Sequence, residues 1–219
     1  MLTVVTHIHP DWNRDITRCV DSVKAALPSG CKHEIIECKD NLQQARYDAM
    51  SMDDIIVFVD DDDYIAEQSL ELVLQGHNMC ENAVVFTNEV LVRSNGVHMP
   101  VVKQRLTYPL MTAHPRVVHH LSAIKSRYVT EKSLNTALSC GFGIEWAIKC
   151  EAAFNAGAMH VDYDGYYWVQ HGNQHHATTS YTKDYQDNCK RLRKEITTWC
   201  SRRGPIMSWK PMLNTQRIS

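Results

Sequence analysis

The sequence predicts an α/β fold: one Rossmann-like domain with a mostly parallel central sheet flanked by helices and a helical C-terminal tail. Three observations carry this expectation. Short apolar runs alternate with helix-period segments through the first 76 residues, the order that builds parallel sheets covered by helices. One of those runs, Ile55 to Val59 (IIVFV), is continuously apolar, as a strand buried on both faces must be. Four consecutive aspartates, Asp60 to Asp63, end that strand, where open α/β sheets bind their ligands.

Leu2 to Thr6 reads as the first strand, followed by a polar loop, HIHPDWNRD. Ile16, Cys19, Val20, Val23 and Leu27 then fall on one helical face, and Pro28, Ser29 and Gly30 stop the helix. His33 to Cys38 is a second strand, Leu42 to Met52 a second helix, and Ile65 to Gly76 a third helix after the aspartates. Ala83 to Arg93 and Val97 to Val102 flank Ser94, Asn95 and Gly96, the chemistry of a hairpin turn. Val117 to Ile124 is a further strand, and Gly143 to Ala156 is helical, ending at Gly157. Val161 to Val169 is extended and aromatic, and Asp184 to Cys200 is an amphipathic helix halted by Gly204 and Pro205. Residues 1–182 form the main domain, with 183–219 a basic helical extension packed on it.

Composition excludes several classes. A hydrophobic content of 44% with 22% charged residues is that of a globular protein and not of a disordered chain. No run reaches the roughly 18–20 apolar residues of a membrane span, and the N-terminus lacks a basic leader, so the expected location is cytoplasmic. The eight cysteines contain no C-x-x-C pair and read as reduced thiols. From Lys183 onward nine Lys and Arg stand against three Asp and Glu, a local +6 in a chain of net −2. Such a segment is either a solvated helix face or a contact for nucleic acid or an anionic surface.

Four adjacent acids repel one another and need a compensating charge. Carboxylates are hard oxygen ligands for Mg²⁺ or Mn²⁺, and an ion held at a strand's carboxyl end can bind a diphosphate. Phosphatases with a D-x-D nucleophile generally carry it after their first strand, unlike this chain. Leu2 to Arg14 contains no glycine, and there is no P-loop or dinucleotide fingerprint.

With these residues in view the chain resembles glycosyltransferase family 2, a group of GT-A enzymes. The resemblance spans roughly residues 2 to 176. It rests on the opening strand ending in Thr6 with the ITRCVDSVKAAL helix, on HEIIECKD, on QQARYDAMSMDDIIVFVDDDDYI, and on CGFGIEWAIKCEAAFNAGAMHVDYDGYYWVQH. It implies that Asp62 binds a Mn²⁺ or Mg²⁺ ion with Asp60 and His171, and that Asp60 and Asp61 meet the nucleotide-sugar donor, a UDP-sugar. Arg46 faces the diphosphate, Asp40 lies by the base, and Thr6 and His7 lie by the nucleoside. Glu145 is the catalytic base of an inverting transfer, and Asp63 supports the site or touches the acceptor. His175 and His176 compete with His171 for its role. Tyr47 stands where the family has Asn, and Ile144 precedes Glu145 where the family often has Glu-Asp.

The resemblance makes a saccharide or glycoconjugate the default acceptor, with Tyr163, Tyr166, Tyr167 and Trp168 an aromatic cluster for stacking or packing. The basic segment keeps a modified nucleic acid open as acceptor, through Lys190, Arg191, Arg193, Lys194, Arg202 and Arg203. Two other classes stand beside this reading: a metal-dependent nuclease or nucleotidyltransferase, and a non-catalytic nucleotide-sugar binding module.

Overall fold

A computed structural model describes residues 1–11, 14–79, 81–101, 106–113, 115–118, 120–171, 183–199 and 203–212. The strands are β1 (Leu2–Ile8), β2 (Lys32–Glu37), β3 (Ile55–Phe58), β4 (Tyr64–Ile65), β5 (Val84–Val92), β6 (His98–Val101), β7 (Ser122–Lys125), β8 (Ala158–Val169) and β9 (Met207–Trp209). The helices are α1 (Thr17–Ala26), α2 (Leu42–Ala49), α3 (Ser69–Met79), α4 (Tyr108–Ala113), α5 (Glu131–Cys140), α6 (Ile144–Ala156) and α7 (Lys183–Trp199). None of the described helices is long and apolar enough to cross a membrane.

All nine strands join one sheet in the order β2-β1-β3-β7-β5-β8-β4, with β6 added to β5 and β9 to β8. The β1–β2, β1–β3, β5–β8 and β8–β9 ladders are parallel and hold most of the paired residues. β7 runs antiparallel between β3 and β5. Alternation along the central strands feeds two cores. Val4, Val57 and Val59 pack with Cys19 and Val23 of α1 and with Leu70 and Val73 of α3. Val5, Ile56 and Phe58 face the other way, onto Ala49 of α2 and Ala137, Ile144 and Ile148 of α5 and α6. The continuously apolar run of β3 follows from this position, because both of its faces are covered.

Four sequence expectations change in detail. The helix expected from Ile65 begins at Ser69, because Tyr64 and Ile65 pair with Tyr167 and Tyr166 of β8. Val117 to Ile124 divides into a 3-10 turn, Pro115–Val118, and the short strand β7. Helices α4 and α5 arise in a stretch that shows no strong apolar period. The C-terminal extension supplies β9 as well as the expected helix, with Leu192 and Ile196 of α7 fully buried. Cys19, Cys31, Cys38, Cys140, Cys150 and Cys189 are thiols outside any disulfide among the described residues. Cys80, Cys200, Arg202, His175 and His176 lie outside the described residues.

Candidate active site

Strand β3 delivers the acid run to the rim of the sheet. Val59 still bonds back to the Val5 carbonyl, and the Asp63 amide donates to the Asp60 carbonyl at 3.1 Å, closing a tight turn. The turn splits the four carboxylates. Asp60, Asp61 and Asp62 line a cleft of about 610 Å³, together with His7, Asp40, Arg46, Glu145 and Trp168. Asp63 points inward and is 1% exposed.

Two arginines and a histidine from separate elements meet the run. Arg14, in the loop after β1, lies 2.9 Å from Asp61 Oδ1 and 3.2 Å from Asp62 Oδ2. Arg46 of α2 donates to Asp60 Oδ1 at 2.5 Å. His171 Nε2 is 2.7 Å from Asp62 Oδ2. Even with Arg14 beside it, burial leaves the Asp61 carboxyl above its ordinary pKa.

Asp63 ties the turn to β8. The Tyr166 hydroxyl donates to Asp63 Oδ2 at 2.7 Å, the Val169 amide donates to Oδ1 at 2.8 Å, and the Asp60 amide donates to the Tyr166 hydroxyl at 3.2 Å. Burial, with Asp60 and Asp62 close by, pushes the Asp63 carboxyl well up. His120 stacks on Tyr166 with ring centroids 4.5 Å apart, and its Nδ1 is 3.9 Å from Asp60 Oδ2. The following residue, Leu121, is buried with φ of +41°, a strained conformation of the kind that gathers at functional sites. Ligand atoms of Asp60, Asp63 and His120 lie within 4.8 Å of one another, a group able to hold a metal ion.

The opposite wall is the start of α6. Arg46 Nη1 lies 3.6 Å from Glu145 Oε1, and Lys149 Nζ lies 3.3 Å from Oε2. Burial alone would raise the Glu145 pKa, but Arg46 and Lys149 outweigh it and hold the carboxyl below its ordinary value. Glu145 is therefore ionised at neutral pH. Gly143 precedes this helix, with φ of +84°, and an added Cβ there would meet Leu192 Cδ2 at 2.2 Å. Only glycine permits both that backbone and that approach. The Gln43 side chain of α2 accepts from the Ile144 amide at 2.9 Å and supplies the cap that Gly143 lacks.

Among the sequence-predicted residues, His7, Asp40, Arg46, Asp60, Asp61, Asp62 and Glu145 share the cleft, and His171 meets Asp62. Two expectations are corrected. The Thr6 side chain is fully buried, its hydroxyl engages His33 Nε2 at 3.0 Å, and it is not among the residues that line the cleft. Asp63 does not reach an acceptor either, because both its oxygens are occupied beneath the surface. Of the aromatic cluster, Trp168 lines the cleft while Tyr167 stacks on Tyr64 at 4.6 Å. Arg14, His120, Lys149 and Gln43 were not foreseen. A larger cavity, about 720 Å³ between β5, β6, β8 and β9, shares no residue with the acid run. The convergence of ion pairs singles out the smaller cleft.

This is the fold of GT-A glycosyltransferases, as comparison with solved structures shows. S. aureus TarS residues 1–349 in complex with UDP-GlcNAc aligns with a TM-score of 0.61 at 13% identity, over 89% of this chain and 66% of that one. TarS 1–349 by itself gives 0.57 at 13% identity, over 77% and 60%, and its UDP complex gives 0.55 at 13%, over 89% and 64%. The chain thus spans less than two thirds of each of these. No family model matches the sequence, and no curated protein matches it.

Proposed function

We propose that this protein is a metal-dependent glycosyltransferase that moves a sugar from a UDP-sugar to an acceptor hydroxyl with inversion, on the cytoplasmic side. One observation carries the reading. Arg46 bridges an acid of the strand-end run, Asp60, to an ionised carboxylate on the facing helix, Glu145, across one cleft. On a fold whose solved relatives include complexes with UDP and UDP-GlcNAc, that arrangement supports a reading of Arg46 as the cation for a diphosphate, with the acid run as the metal-binding edge and Glu145 as the base.

The donor set fits a hard divalent ion, being carboxylate oxygens with one imidazole. Asp62 and His171, already 2.7 Å apart, would hold Mn²⁺ or Mg²⁺ with Asp60, the residue they share with the Asp60, Asp63 and His120 group, and the ion when bound would supply positive charge for the leaving diphosphate. Arg46 adds charge-assisted hydrogen bonds to the phosphates and stabilises the charge that develops there. Arg14 orients Asp61 and Asp62, and Asp40, which lines the cleft, would meet the base. Glu145 takes the proton of the attacking hydroxyl, held toward the cleft by Lys149. The acceptor in this reading is a saccharide or glycoconjugate.

The exposed cationic face of α7 keeps nucleic acid as a second reading, although Lys190 already pairs with Asp187 at 3.0 Å and Arg191 donates to the Ser139 carbonyl. A thermal-shift panel of UDP-, GDP-, CMP- and dTDP-sugars with and without Mn²⁺ tests the choice, since a ligand of the native state raises Tm. The expected result is a Mn²⁺-dependent shift with a UDP-sugar that Asp62→Ala abolishes. No shift with any sugar nucleotide, together with cleavage of DNA or RNA, would replace this function by a nuclease.

A further inference from the structure

Glu145 sits in the first turn of α6, and that turn is fixed from another helix. The link from α5 is three residues long, Gly141, Phe142 and Gly143, and both glycines are left-handed, with φ of +76° and +84°. Glycine enters and leaves such conformations without steric cost, so the link gives the start of α6 little restraint of its own. Leu192 packs against Gly143, a contact that limits approach but has no direction. The first backbone bond of the helix runs from the Ala147 amide to the Gly143 carbonyl, which leaves the Ile144 amide without a partner inside the helix. Gln43 Oε1 of α2 accepts it at 2.9 Å, and a hydrogen bond is directional.

We propose that Gln43 is a positioning residue for the transfer: it holds the first turn of α6, and with it Glu145, in place while Arg46 turns to the diphosphate. This rests on the reading of Glu145 as the base. Gln43 and Arg46 stand three residues apart on α2, the spacing of neighbours on one helical face, and they grip adjacent residues of α6. Gln43 holds the Ile144 backbone, and Arg46 lies 3.6 Å from the Glu145 carboxylate. The two grips differ in kind. Arg46 is shared, because it also donates to Asp60, and a diphosphate competes for the same charge. The Gln43 bond is neutral and made to backbone, so an arriving anion leaves it intact. Lys149, one turn along α6, restrains the carboxylate against its own helix and cannot set where that helix begins. A reacting group displaced by about 1 Å costs on the order of a hundredfold in rate, and no charge of the donor site changes when the Gln43 bond is lost. The cost therefore falls on kcat and spares donor binding.

The test compares the parent with Gln43→Leu, which removes the acceptor at similar volume, and Gln43→Glu, which keeps it. Should Gln43→Leu fail to fold, Gln43→Asn, one methylene short of the Ile144 amide, takes its place. Three quantities are measured: hydrogen exchange of the Ile144 amide by NMR, UDP affinity by calorimetry with Mn²⁺, and UDP release from the UDP-sugar that gives the largest thermal shift, with water as acceptor. In Gln43→Leu the Ile144 amide is expected to exchange on the order of tenfold faster. Its kcat should fall about tenfold or more, with KM and the UDP affinity unchanged, and Gln43→Glu should recover most of both losses. Parental exchange or parental kcat in folded Gln43→Leu overturns the proposal. So does weaker UDP binding at unchanged kcat, which would make Gln43 a donor contact, and so does failure of Gln43→Glu to recover turnover. A parent that neither binds UDP nor releases it removes the glycosyltransferase reading and this role together, while the exchange measurement still reports whether Gln43 fixes the start of α6.

Discussion

Replacing Tyr166 by Phe removes one oxygen from the strut beneath the acid run. The ring is fully buried and stacked on His120, so Phe keeps the packing and leaves almost no cavity. The hydroxyl, however, serves two groups: it donates to Asp63 Oδ2 and accepts from the Asp60 amide. Each buried group left without a partner costs about 1–3 kcal/mol, more for a charged one, so Tyr166→Phe is expected to lose roughly 2–5 kcal/mol. At this chain length ~2–4 °C of Tm corresponds to each kcal/mol. The loss also depends on pH. The folded-state pKa of Asp63 is already raised, and loss of the donor raises it further. The carboxylate form then bears the penalty, so the deficit against the parent is largest at high pH and narrows as the pH falls and Asp63 takes up a proton. Urea unfolding of parent and variant at pH 8 and pH 5 measures this, with an unchanged m-value confirming that only stability moved. A deficit below about 0.5 kcal/mol at pH 8, or one that widens toward pH 5, would refute the strut as a hydrogen-bonded, charge-bearing element.

Two further outcomes follow from buried groups elsewhere. His77 lies 3.1 Å from the carbonyls of both Asn82 and Ala123, and burial lowers its pKa to about 4. A depressed histidine stabilises the fold above its unfolded pKa, near 6.5, and that contribution is lost as pH falls toward 4; the shift corresponds to about 3 kcal/mol. His77→Gln should flatten the slope of stability against pH across this window, and an unchanged slope would contradict the assignment. Gly143→Ala places a Cβ against Leu192 at a left-handed backbone position, with an expected loss of about 1–3 kcal/mol and lower turnover through Glu145. Adding Leu192→Ala should make the double variant less destabilised than the sum of the two, which chemical denaturation of all four proteins would show.

The sequence made legible whatever was contiguous. Strand β3 declares itself because burial on both faces demands an unbroken apolar run, and the aspartates after it are adjacent in the chain. Helix α5 was missed for a physical reason. Its buried side chains are Ser133, Leu134, Ala137 and Cys140, a helical spacing written mostly in small residues, so the apolar period is faint. Better signals were its two ends: Thr130 caps the Lys132 amide, and Gly141 closes the helix at φ of +76°. Thr6 was misplaced by one residue of strand parity. Its neighbours alternate between two cores, and that alternation sends Thr6 toward His33 and Cys19 while His7 faces the cleft.

The charges of the site divide in the same way. Three cleft-lining acids and their buried companion can sit in one turn because a single turn presents them together. Their counter-charges cannot be local, since a cation next to each acid in sequence would point away from the cleft with it. Arg14 therefore comes from the loop after β1 and Arg46 from α2, while the polar partners His120 and His171 come from the segment before β7 and the end of β8. Each pairing crosses between 14 and 109 residues of chain, and no local pattern records it. Glu145 shows the consequence. Its place at the start of α6 could be matched to a family pattern, but its ionisation is set by Arg46 and Lys149, and only the fold brings Arg46 to it. The acids thus mark where the site is, and the cations, gathered by tertiary structure, determine what it can do.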